Sequence, residues 1–278
     1  MKKKNIQDFL AMKKAQEKIT VLTAYDASIA GLLHACDVDV LLVGDSLGNV
    51  VLGYDSTVPV TMEEMLHHAS AVRRGAPGAF VVGDMPFGSY QSAPRDAILN
   101  ATRFLKEAGC DAVKLEGGLE ICDTVRAMVR AGISVMGHIG LTPQTAMQLG
   151  GYKVQGRDVE SARRLLAEAK GLAEAGAFSM VLECVPSQLA EIITESVSVP
   201  TIGIGAGPHC DGQVLVINDL LGMFDKYTPS FVKVYTNLAP IMKESIARFN
   251  AEVRSGTYPD ATHSFSTQTD LRTIVKDS

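Results

Sequence analysis

The chain is 278 residues long, 46 % hydrophobic and 21 % charged, with a formal net charge of −5. That composition supports a sizeable buried core and argues against nucleic acid as a main partner, because phosphate binding needs a basic surface. No apolar run nears the roughly 18 residues of a membrane span, and Lys2-Lys3-Lys4 lacks the apolar stretch of a signal peptide, so a soluble, cytoplasmic protein without membrane partners is expected. Five scattered cysteines with no C-x-x-C pair suit reduced structural thiols better than a metal site or a disulfide framework.

In chain order, Asn5–Ala15 reads as a helix able to plug one end of a barrel, and Thr20–Ala24 as the first strand. Ser28–Cys36 is a helix with Ile29, Leu32 and Leu33 on one face, and Val40–Val43 is the second strand. Met62–Arg74 starts a helix after Thr61, with Glu63 and Glu64 in the first turn, where acids complement the helix dipole. Ala79–Val82 is a strand, and Pro94–Ala108 a helix with Pro early and Gly109 at its end. The remaining strands are Ala112–Leu115, Ser134–Met136, Ser179–Leu182, Thr201–Gly203 and Val214–Ile217. Helices over Leu119–Ala131, Val159–Ala175 and Gln188–Val197 lie between them. Most strands are unbroken Val/Leu/Ile/Met runs, the pattern of parallel strands covered by helices.

The phrases KEAGCDAVKLEGG, VRAGISVMGHIG and AEAGAFSMVLECVP each run from a helix end through Gly and a short turn into a strand. Repetition of that unit implies right-handed βα crossovers. Eight strands then predict an α/β fold, a single-domain (β/α)8 TIM barrel, with an open doubly wound sheet as the alternative. Phe231–Val253 reads as a helical extension that Pro240 should kink or divide, and a polar tail follows from about Ser255.

In such a barrel, chemistry gathers at the C-terminal strand ends. Those positions hold Asp26, Asp45-Ser46, Asp84, Lys114 with Glu116, His138, Glu183 and the GIGAG run from Gly203 to Gly207. Asp26, directly before Ala27-Ser28, is placed to cap a helix. Asp45 and Asp84 precede turn-rich segments, so capping does not explain them. Lys114 and Glu116 are two apart and point the same way, either into a site or into a buried ion pair. Asp45, Asp84 and Glu116 make an oxygen-donor set suited to a hard cation, Mg²⁺ before Zn²⁺. Glu183, partly desolvated between Leu182 and Cys184, suits a general base. His138 can donate to a substrate or bond a carbonyl. GIGAG departs from G-x-G-x-x-G, which argues against a dinucleotide fingerprint and leaves a tight turn or a phosphate-binding turn.

The blocks VLTAYD, LLVGDSLGNVVLGYDSTVPVTMEEMLHH, VVGDMPFGSY, AVKLEGG, GHIGLTPQ, VLECVP and IGIGAG, in this order, resemble those of the ketopantoate hydroxymethyltransferases from about residue 5 to 265. The resemblance implies transfer of a one-carbon unit from 5,10-methylenetetrahydrofolate to 3-methyl-2-oxobutanoate, by way of a Mg²⁺-stabilised enolate, giving 2-dehydropantoate in pantothenate biosynthesis. It implies that Asp45 and Asp84 hold Mg²⁺ with support from Glu116 through water. Asp45, Ser46, Asp84 and Lys114 would contact the 2-oxo acid, and Glu183 would accept the proton. It also implies a homodecamer of two stacked pentamers. Gln148–Arg157 is a candidate lid, and His138 a candidate substrate contact.

Two other readings compete. Mg²⁺-dependent barrels that cleave or rearrange bonds of 2-oxo acids typically carry a catalytic cysteine in a mobile loop. Glu116 to Ile121 and His138 to Arg157 contain none. A metal-stabilised binding protein without turnover is the third reading.

Overall fold

Alternate residues along each strand point into one closed interior, and their apolar side chains form its core. The computed structural model describes residues 3–223 and 228–272. Its strands are β1 (Ile19–Thr23), β2 (Val40–Val43), β3 (Phe80–Asp84), β4 (Ala112–Lys114), β5 (Val135–Gly140), β6 (Ser179–Glu183), β7 (Thr201–Ile204) and β8 (Gly212–Leu215). Every neighbouring pair is parallel, and β8 pairs with β1, so the sheet is a closed barrel in sequence order. Closure decides for the (β/α)8 arrangement over an open sheet.

The helices are α1 (Ile6–Ala15), α2 (Ala27–Ala35), α3 (Leu47–Val50), α4 (Met62–Gly75), α5 (Pro94–Lys106), α6 (Cys122–Arg130), α7 (Val159–Ala175), α8 (Ser187–Ser196), α9 (Ile217–Leu220) and α10 (Leu238–Ser255). Helix α1 plugs the barrel as expected. Asn5 and Asp8 form a capping box at its start, and Phe9 is buried with its ring 5.0 Å from Phe80 and 6.4 Å from Phe178. Both partners lie at the N-terminal ends of strands, so the plug closes the face opposite the strand C-termini. Val21, Val40, Leu42, Val82, Ala112, Met136, Val181, Ile202 and Val214 stack in the same cluster above Phe9.

Four details depart from the sequence reading. The last strand is Gly212–Leu215 rather than Val214–Ile217, because Ile217 opens α9 and its N–H donates to Thr23 Oγ1 at 2.9 Å. Residues 205–211 join β7 to β8 without a helix. One helical turn, α3, follows Asp45-Ser46, yet no side chain caps it. Pro240 does not break a helix; it sits in the first turn of α10, where N–H groups have no intrahelical acceptor.

The described residues fall within two compact units. The first, in Met1–Leu220 and Thr228–Lys233, carries the barrel; the second, in Leu221–Tyr227 and Val234–Ser278, carries α10 and the tail. No described helix is long and apolar enough to cross a membrane.

Candidate active site

The inward-facing rows change character at the strand C-termini. Two positions beyond Val82 comes Asp84, beyond Ala112 come Lys114 and then Glu116, beyond Met136 comes His138, and beyond Val181 comes Glu183. The two-residue period of a strand therefore carries each polar group to the wall that its aliphatic predecessor lined. Asp45 arrives differently, on the turn after β2. Its N–H donates to Asp84 Oδ2 at 3.1 Å, which draws the two acids together.

All the predicted site residues meet at this rim. Lys114 Nζ lies 2.8 Å from Asp84 Oδ1, 3.6 Å from Glu116 Oε1 and 3.2 Å from His138 Nδ1. His138 Nδ1 is 3.3 Å from Glu116 Oε1, and its Nε2 is 3.2 Å from Glu183 Oε2. Ser46 Oγ is 2.8 Å from the Tyr25 hydroxyl. Asp45, Asp84, Lys114, Glu116 and His138 are buried, whereas the Glu183 side chain keeps 16 % of its surface exposed. Glu183 is thus the acid of this cluster open to an incoming ligand, and β6 places it across the barrel from β2. Asp26 lies outside the cluster and caps α2, accepting from the Ile29 N–H at 2.9 Å. Gln148–Arg157 adjoins the Glu183 edge of the rim, because the Gln155 N–H donates to the Cys184 carbonyl at 2.9 Å.

Burial and repulsion shape the charges. Burial, then the Asp84 and Glu116 charges, push the Asp45 carboxyl well above the usual range. Burial also raises Asp84, although Lys114 opposes it. Against burial, Lys114 and His138 hold Glu116 below its ordinary value. Against burial and the Lys114 charge, the carboxylates of Glu116 and Glu183 raise His138 to about 9. A cation beside Asp45 and Asp84 would relieve the costliest part of this arrangement. Among the described residues, no three His, Cys, Asp or Glu side chains form a ready ligand shell. Lys114 stands between Asp84 and Glu116, leaving Asp45 and Asp84 as the adjacent pair. Two carboxylates plus water and substrate oxygens are what Mg²⁺ commonly accepts, so the donor set fits that ion.

Two residues the sequence reading did not single out complete the site. Gln144 follows β5, and Tyr90 lies in the turn after β3; both are buried. They stand inside GHIGLTPQ and VVGDMPFGSY, but uncharged side chains in turns carry no spacing signal for a polar role.

Residues 3–261 match the family model described as ketopantoate hydroxymethyltransferase. A 3-methyl-2-oxobutanoate hydroxymethyltransferase of Desulfotalea psychrophila is 62 % identical over 273 residues, covering 98 % of each chain. One from Syntrophomonas wolfei subsp. wolfei is 58 % identical over 254 residues, covering 91 % of this chain and 92 % of the relative. Among solved structures, a phosphoenolpyruvate phosphomutase from Streptomyces platensis subsp. rosaceus superposes with a TM-score of 0.59 at 16 % identity, covering 98 % of this chain and 94 % of the other. A 2,3-dimethylmalate lyase of the PEP mutase/isocitrate lyase superfamily superposes with a TM-score of 0.55 at 15 % identity, covering 98 % and 93 %. At those identities the two structures share the fold alone. With a family model spanning nearly the whole barrel chain and relatives this similar end to end, the protein belongs to the ketopantoate hydroxymethyltransferase family.

Proposed function

We propose that the protein transfers a hydroxymethyl group from 5,10-methylenetetrahydrofolate to 3-methyl-2-oxobutanoate, forming 2-dehydropantoate in pantothenate biosynthesis, with Mg²⁺ as cofactor. The observation that carries the reading is the meeting of Asp45, Asp84, Lys114, Glu116, His138 and Glu183 at one rim, with Glu183 the acid left open. Asp45 and Asp84 would hold the cation, with Glu116 behind them acting through water. When bound, Mg²⁺ supplies Lewis-acid polarisation of the oxygens of a 2-oxo acid.

The protein's own residues do the rest. Ser46 and Lys114 bind the anionic keto acid, and Lys114 offsets the negative charge that develops as C3 loses its proton. Glu183 accepts that proton. His138, against Glu183 on one side and Glu116 on the other, holds the Glu183 carboxylate in place. The carbanion carbon then attacks the methylene carbon of the ring-opened folate iminium, the C=N π pair passing to nitrogen. A water molecule then replaces the remaining C–N bond, supplying the hydroxyl oxygen and releasing tetrahydrofolate. Closure of Gln148–Arg157 over the mouth would keep water from that carbanion. Assembly as a homodecamer and a cytoplasmic location belong to the same reading. Exposed Ile241, Met242, Ile246, Phe249 and Val253 on α10 support assembly of copies.

Deuterium exchange at C3 of 3-methyl-2-oxobutanoate, followed by proton NMR in D₂O without folate, tests the mechanism. Wild-type protein with Mg²⁺ should exchange the proton, and Glu183→Gln should lose exchange while still binding the keto acid. Exchange that persists in Glu183→Gln would remove Glu183 from the role of base. Binding without any exchange in the wild type would favour the non-catalytic reading.

A further inference from the structure

Gln144 is buried and hydrogen-bonded into the acid cluster through both its backbone and its side chain. Its backbone N–H donates to Glu116 Oε2 at 3.0 Å. Its Nε2 donates to Asp45 Oδ2 at 2.9 Å and to the Met85 carbonyl at 2.9 Å. Its Oε1 accepts from the Tyr90 hydroxyl at 2.7 Å. Tyr90 has one proton to give and two acceptors in reach, Gln144 Oε1 at 2.7 Å and the Glu116 carbonyl at 3.0 Å. The shorter contact assigns it to Gln144, while the phenol oxygen accepts from the Glu116 N–H at 3.1 Å. The amide orientation is therefore fixed by its surroundings: two acceptors face the nitrogen, and the Tyr90 hydroxyl at 2.7 Å and Gln91 Nε2 at 3.4 Å both donate to the oxygen.

This directional chain runs from the β4 backbone through Tyr90 and Gln144 to the carboxylate delivered by β2. It gives one oxygen of Asp45 a neutral donor and leaves the other free. It also closes Glu116, whose Oε2 takes the Gln144 N–H while its Oε1 faces Lys114 and His138. Without the Gln144 amide, Asp45 would be a buried carboxylate free to rotate and repelled by Asp84 and Glu116.

We propose that Gln144, oriented by Tyr90, is a positioning residue that presents one oxygen of Asp45 to a divalent cation and prevents the carboxylate from turning away. The proposal rests on the reading of Asp45 and Asp84 as the cation-binding pair. Outer hydrogen bonds of this kind typically contribute a factor of about 10 to 100 in metal affinity.

The test is Mn²⁺ binding to the full-length protein, counted by electron paramagnetic resonance without keto acid or folate. Gln144→Met preserves length and the backbone N–H while removing the amide. It should weaken Mn²⁺ binding by about 10- to 100-fold, with unchanged circular dichroism. Tyr90→Phe keeps the ring and removes the hydroxyl, and should weaken binding in the same direction by a smaller factor. The Gln144→Met, Tyr90→Phe double variant should lose little more than Gln144→Met, because both act through one chain of bonds. Mn²⁺ affinity within twofold of wild type in a folded Gln144→Met protein would overturn the proposal. Should that variant fail to fold, wild-type affinity in Tyr90→Phe would overturn it instead. No saturable Mn²⁺ site in the wild type would sink the cation-site reading itself, which is a distinguishable result.

Discussion

Lys114→Met tests whether the rim is a balanced charge cluster. The ammonium lies 2.8 Å from Asp84 Oδ1 and 3.6 Å from Glu116 Oε1, with its side chain 4 % exposed. At an effective dielectric constant of about 20, those contacts correspond to attractions of about 6 and 5 kcal/mol. Desolvation of the ions offsets much of this, but methionine leaves the acids buried and unpaired, a change that usually costs about 3–5 kcal/mol. Proton uptake by Asp84 or Glu116 limits the loss. Moving an ordinary carboxyl through about three pH units to neutrality costs about 4 kcal/mol, at about 1.4 kcal/mol per unit.

The sign follows from that proton. In the variant, the folded carboxyl value lies above the unfolded one, so the native state holds a proton that the unfolded chain lacks at neutral pH. The penalty is therefore full near pH 7 and shrinks by up to about 1.4 kcal/mol per unit as pH falls toward about 5. Urea unfolding of wild type and variant, without divalent cations, at both pH values measures it. A loss below about 1 kcal/mol at pH 7, or the same loss at both pH values, would refute the charge-balance reasoning.

Other tests probe separate parts of the argument. Phe9→Ala should destabilise the barrel by about 3–5 kcal/mol yet leave the rate of C3 exchange by the folded fraction unchanged, because the plug closes the opposite face; urea unfolding and exchange rates check both. Gly140→Ala should slow exchange about 100-fold. Gly140 has φ +93°, and a Cβ there would overlap the Glu183 carbonyl oxygen, displacing the end of β6. Gly83→Ala would overlap the Phe104 ring behind β3 and should cost about 1–3 kcal/mol in thermal or urea unfolding. Chelation with EDTA should abolish C3 exchange and added Mg²⁺ should restore it, as NMR would report; exchange unaffected by chelation would count against the cofactor.

Much of this protein was decided by local pattern. Apolar runs such as LLV before Asp45 and FVV before Gly83-Asp84 suit strands covered on both faces, and their polar ends mark the C-terminal rim because strand period and barrel polarity are fixed by backbone geometry. The positions of Asp45, Asp84, Lys114, Glu116, His138 and Glu183 were therefore legible residue by residue. The start of β8 at Gly212-Gln213 was not, because its pairing with Ile19 and Thr20 depends on barrel closure rather than on β propensity. Nor was the place of Pro240, which turns on where α10 begins.

Partnership was decided only in three dimensions. No spacing in the chain reveals that Lys114 falls between Asp84 and Glu116, or that Gln144, 99 residues after Asp45, donates to its carboxylate. Turn residues carry no periodicity, and a neutral amide becomes important only when folding buries it against a charge that water no longer screens.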